Sequence, residues 1–168
     1  MAAQNQSSKF KDALPTIFWL GFLTGTLDGM AAIIWSFITN PKVGADVIFE
    51  FIASAVFGKA AFTSGTQMVV AGVFFHYLIA FLFTTAFYLL YPFFDKLIRN
   101  KYIIAVVYGI IVWLVMNLVV VPLSKIGYHH IKVHVALTGL VILIICIGIP
   151  VALIADNKYW KAKFSPKK

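Results

Sequence analysis

The chain has 168 residues, of which 61% are hydrophobic and only 12% charged. A soluble domain carries about twice that charged share, so a water-facing globule is excluded and most of the surface meets lipid. The net charge of +8 accompanies no nucleic-acid motif, and the basic residues flank apolar runs, where they serve as topology signals and contacts for anionic lipid.

A spanning helix needs about 20 apolar residues. Four segments qualify, at 17–38, 68–90, 103–121 and 133–155, so residues 1–168 read as one all-α polytopic membrane domain. The first span has too long an apolar core for a signal peptide and no small-residue cleavage site, so it reads as a retained helix. Its centre holds Asp28, about 15 Å deep at helical rise. A charge there should face protein or a wet cavity. Gly21, Gly25 and Gly29 recur every fourth residue, beside Thr24, Asp28, Ala32 and Ser36. This small and polar stripe lets another helix approach closely and turns Asp28 inward.

The connector 39–67 is longer than it needs to be. Within it, residues 45–58 read as a short amphipathic helix on the outer face, either lying on the interface or packed over the bundle mouth. Asp46, Glu50 and Ser54 form its polar side; Val47, Ile48, Phe51, Ile52, Ala55 and Val56 form the apolar one.

In the second span Gly72, His76, Ala80 and Thr84 share a face, and in the third Ala105, Gly109, Trp113 and Asn117 do. Pro122 closes the third span. In the fourth, Thr138, Gly139, Cys146 and Pro150 mark the inward side, and Pro150 is expected to kink the helix. Cys146 is the single cysteine, which excludes an intrachain disulfide and any multi-cysteine zinc site.

Ten basic residues lie on the side of the termini and the middle loop, against four on the other side: Lys42, Lys59, Lys125 and Lys132. That bias places both termini in the cytoplasm. Trp19, Tyr91, Tyr102, Tyr159 and Trp160 fall at the expected inner interface, and Trp35 and Tyr128 near the outer one.

Asp28, His76 and Asn117 therefore stand at a descending series of depths, with Thr24 below them and Glu50 at the mouth. The expected cluster opens outward and closes towards the cytoplasm. Two readings compete. In one it binds a small polar or cationic ligand, or a proton. In the other Asp28 is packing glue, bonded to His76 or Asn117, at roughly 0.6 kcal/mol per bond.

His130 and His134 are spaced i, i+4, which lets two imidazoles share a metal ion with Glu50 or Asp46. A solvated interfacial role competes with that. His76 and His134 could ligate haem from two helices, but they differ in depth by about 10 Å. Neither a nucleophile–base motif nor a phosphate or dinucleotide fingerprint is present, so neither an enzyme nor a resident cofactor is expected. The remaining alternatives are an accessory subunit of a larger membrane complex, or a homo-oligomer, and a metal- or haem-binding redox protein.

The order of "FFHYLIAFLFTTAFYLLYP", "AVVYGIIVWLVMNLVVVPLS" and "CIGIPVALIA" after a glycine-striped first span resembles a group of small bacterial inner-membrane proteins distantly similar to the YagU-like family. The resemblance implies a four-helix inner-membrane protein and brings no catalytic residues.

Overall fold

The computed structural model describes residues 2–127 and 132–164, with side chains at 14–127 and 132–157. Its architecture is all-helical, with no strand among the described residues. Helix α1 covers Ala2–Thr39, α2 covers Ala45–Phe57 and α3 covers Thr66–Ile98. Helix α4 runs through Lys101–Leu123 and contains a π-helical turn at Met116–Val120. Helix α5 comprises Val133–Leu143, a π turn at Ile144–Gly148, and Ile149–Phe164. Leu14–Thr39, Thr66–Ile98, Lys101–Leu123 and Val133–Asn157 are each long and apolar enough to cross a membrane.

Helix α3 outruns the span expected at 68–90. It continues through Pro92 to Ile98, where Arg99 takes a left-handed conformation and returns its N–H to the Asp95 carbonyl. A proline inside a helix costs about 3 kcal/mol. The extra turns recover that through packing. Phe94 stacks on Phe87 at 6.0 Å and meets Tyr108 edge-on at 6.2 Å. Each such pair is worth about 0.5–1.5 kcal/mol beyond burial. Tyr91, expected as an interfacial anchor, is instead 2% exposed, because its hydroxyl donates to Asp156 at 2.8 Å. Trp19 and Tyr102 do lie on the surface; Tyr128 and the side chains of Tyr159 and Trp160 are outside the described residues. Asn100 then starts α4 by accepting from the N–H groups of Tyr102 and Ile103, which lets α3 and α4 join with almost no loop.

Both π turns stand just before a proline, Pro122 in α4 and Pro150 in α5. Proline lacks the N–H and its ring crowds the carbonyl four residues back; a wider turn upstream takes up the misfit. In α5 that turn carries Gly148, where an added Cβ would overlap the Ala105 carbonyl oxygen of α4.

Successive long helices run antiparallel. Thr24 faces Thr84 and Gly29 faces His76 between α1 and α3, while Gly148 faces Ala105 and Gly139 faces Trp113 between α4 and α5. The buried core is concentrated in the half nearest the α3–α4 turn, where Leu20, Phe87, Tyr91, Tyr108, Ile147 and Val151 close together. The opposite half is less filled, and α2 sits against it. Gly72 of α3 meets the Phe49 backbone directly, and the Lys125 N–H donates to the Ala55 carbonyl at 2.9 Å. Ser54, on the expected polar side of α2, is buried and donates to the Phe51 carbonyl at 2.6 Å. Close backbone approach selects small residues, so Ala53 and Ser54 face the bundle while Val47, Phe51 and Phe57 remain exposed.

Candidate ligand site

A cavity of about 190 Å³ lies between α1, α3, α4, α5 and α2. Asp28 and Gly29 of α1, His76 of α3 and Phe49 of α2 are among its walls, with Met116 from the α4 π turn and Ile147 from the α5 π turn. Among the described residues, Asp28 and His76 are the only ionisable side chains that line it. The rest of the wall is apolar, apart from backbone.

The glycine stripe of α1 positions this pair. Gly21 admits the Phe81 ring, Gly25 admits Tyr77 and Ala80, and Gly29 admits the His76 imidazole, whose Nε2 would stand 3.1 Å from an added Cβ. The same nitrogen lies 2.7 Å from the Gly25 carbonyl oxygen. A carbonyl only accepts, so Nε2 carries the proton and donates, and Nδ1 is the polar atom left on the neutral ring. Phe49 and Tyr77 meet the imidazole edge-on at 6.2 and 5.6 Å and hold its plane.

Asp28 lines the same cavity as His76. Its carboxylate nevertheless makes no hydrogen bond and no ion pair among the described residues. No side-chain oxygen or nitrogen is both sealed and unpartnered, so the Asp28 oxygens are reached from the cavity. That is where an intramembrane carboxylate belongs if it is not paired.

The other expected members separate. Asn117 lies in the α4 π turn and donates from Nδ2 to the Trp113 carbonyl of its own helix at 2.9 Å. It does not line the cavity. Thr24 is fully buried; its hydroxyl donates to the Leu20 carbonyl at 2.8 Å and lies 3.3 Å from the Thr84 hydroxyl. These two threonines floor the site rather than enter it. Glu50 is half-buried on α2, next to Phe49 in sequence but not in the cavity wall. His130 lies outside the described residues, and His134 is exposed at the start of α5. No group of three metal-ligating side chains occurs among the described residues.

A second polar cluster was missed in the sequence. Asp156 of α5 accepts from Tyr91 at 2.8 Å and from Lys101 at 3.3 Å, joining α3, α4 and α5 near the α3–α4 turn. A lone acidic residue among the lysines after the fourth span was the available signal. A larger surface groove of about 420 Å³ between α1 and α5, bordered by Pro15, Trp19, Phe22 and Ile154, has no ionisable side chain in its lining among the described residues.

Comparison of the chain with protein-family models, curated proteins and solved structures finds no match.

Proposed function

We propose that this chain is a non-enzymatic bacterial inner-membrane protein with cytoplasmic termini, and that it binds a small polar or cationic ligand, or a proton, at Asp28 and His76. The observation that carries the proposal is an unpaired, accessible carboxylate in the wall of a 190 Å³ cavity within a bundle of apolar helices. Water needs only about 10–15 Å³ by this kind of measure, so the space suits a ligand larger than one solvent molecule. An unpaired charge at this depth is expensive to keep unless something offsets it.

On this reading α2 is the outer, amphipathic roof. Asp46 and Glu50 raise the local cation concentration above it, and the Thr24–Thr84 floor and the aromatic core close the cytoplasmic side. The alternative of an accessory subunit draws less support, because Gly21, Gly25, Gly29, Gly72, Gly109 and Gly148 all meet other residues of this same chain. Glycine faces used internally are not free to seat a partner helix.

The test is ligand-linked stability of the purified protein in lipid nanodiscs. A ligand at 100 times its Kd adds about 2.7 kcal/mol to folding stability. Sodium, potassium, magnesium and tetramethylammonium are scanned over a range of pH with the wild type and Asp28→Asn. At least one cation, or the proton itself, is expected to shift the wild-type Tm and leave the variant unmoved. Identical Tm profiles for both proteins under every condition would overturn the proposal.

A further inference from the structure

The composition of the cavity wall restricts the ligand further, given the Asp28 site proposed above. We infer that its ligand is a small organic cation, an alkylammonium with apolar carbon around the charge, rather than a bare metal ion.

The oxygen inventory argues first. Hard metal cations take about six oxygen ligands. The wall supplies one carboxylate, from Asp28. Two oxygens one turn before Asp28 on α1 are already engaged: Gly25 O accepts from His76, and the Thr24 hydroxyl donates to the Leu20 carbonyl and lies against the Thr84 hydroxyl. A metal ion would have to keep its own water shell, and most of those waters would face hydrocarbon without a partner.

The apolar wall argues second. Ile48, Phe49, Ile79, Phe83, Val112 and Met116 line the cavity that the carboxylate shares. They reward a ligand that carries methyl or methylene groups about its charge. Aromatic rings add attraction for a weakly hydrated ammonium, the recognised use of aromatic walls around quaternary nitrogen. Asp28 supplies the counter-charge, and the His76 Nε2–Gly25 bond leaves Nδ1 as the acceptor nitrogen of the neutral ring.

Size argues third. Drug-sized ligands occupy pockets of about 300–1,000 Å³. At 190 Å³ this cavity admits a smaller ion, and bulkier homologues should be refused.

The experiment is isothermal titration of the full chain in nanodiscs with tetramethylammonium, tetrabutylammonium, sodium, potassium and magnesium. The proteins are the wild type, Asp28→Asn and Ala32→Leu. The last keeps the carboxylate and fills part of the cavity, since Ala32 is in its wall. Tetramethylammonium is expected to bind saturably to the wild type and to lose at least about tenfold in affinity in each variant. Tetrabutylammonium and the metal ions are expected neither to bind nor to compete. Asp28-dependent binding of a metal ion without tetramethylammonium binding would overturn this inference and leave the site standing. Equal tetramethylammonium affinity in all three proteins would overturn it too. Absence of any Asp28-dependent binding would remove both the inference and the site.

Discussion

Substituting Gly72 by alanine tests how α2 is seated over the cavity. A Cβ there would overlap the Phe49 carbonyl oxygen and lie 2.5 Å from its carbon and 2.9 Å from its Cα. Contacts of that kind do not close below 3.0 Å, and these atoms are backbone, so no rotamer change relieves them. Helix α2 must retreat by about one ångström to clear the Phe49 oxygen. Overpacking of this kind costs about 1–3 kcal/mol. Alanine returns about 1 kcal/mol of helix propensity, so the net loss is about 0–2 kcal/mol. Gly139→Ala is the matched control. Its Cβ would meet only Trp113 Nε1, at 3.7 Å, so it gains the propensity term without the clash. The two variants should therefore differ by about 1–3 kcal/mol, with Gly139→Ala the more stable. Cys146 is the only cysteine, and it lies partly buried within α5, so a thiol-reactive dye reports unfolding directly. Because Phe49 lines the cavity, Gly72→Ala should also weaken tetramethylammonium binding, while Gly139→Ala should not. Equal melting temperatures and equal binding for the two would refute the direct seat of α2 on α3.

Asn117→Ala is expected to leave cation binding unchanged and to cost no more than about 1 kcal/mol, since its amide bonds only to its own helix; titration calorimetry and melting check both. Asp156→Ala should destabilise more than Lys101→Ala. The aspartate change takes an acceptor from the buried Tyr91 hydroxyl, about 1–3 kcal/mol, whereas the partly exposed lysine is worth about 0–1 kcal/mol, and dye-monitored melts rank the two. On the bacterial inner-membrane topology proposed above, Glu50→Cys in a Cys146→Ser background should react with an impermeant thiol reagent from the periplasmic side. Labelling from the cytoplasmic side alone would invert the proposed topology.

The spans were legible because lipid demands long apolar runs, and such runs need no tertiary information. Their ends were less so. Leu90 looked terminal before Tyr91 and Pro92, yet aromatic packing carried α3 on to Ile98. The inward direction of Asp28 was legible from the glycine stripe beside it, since three small residues at spacing four define one face. The partners of that face were not. Small-residue faces and depth grouped Asn117 with Asp28 and His76, but Asn117 lies in the π turn before Pro122, bonds to its own helix and does not line the cavity. Helical phase cannot be counted at 3.6 residues per turn within a π turn, and Asn117 is the second residue of one. Whether the polar side of α2 met water or the bundle was not legible for a related reason: at Ser54 close packing takes a small side chain whose hydroxyl bonds locally. The Tyr91–Asp156–Lys101 cluster joins residues far apart in the chain, and no local pattern connects them.

The most direct measurement is a high-resolution density map of the protein in lipid nanodiscs with tetramethylammonium, inspected between Asp28, His76 and Phe49. The account predicts a cavity that persists, with density for a compact cation against the Asp28 carboxylate and His76 still bonded to Gly25. A collapsed, dry cavity with Asp28 hydrogen-bonded to a neighbouring helix would contradict it and make the aspartate packing glue.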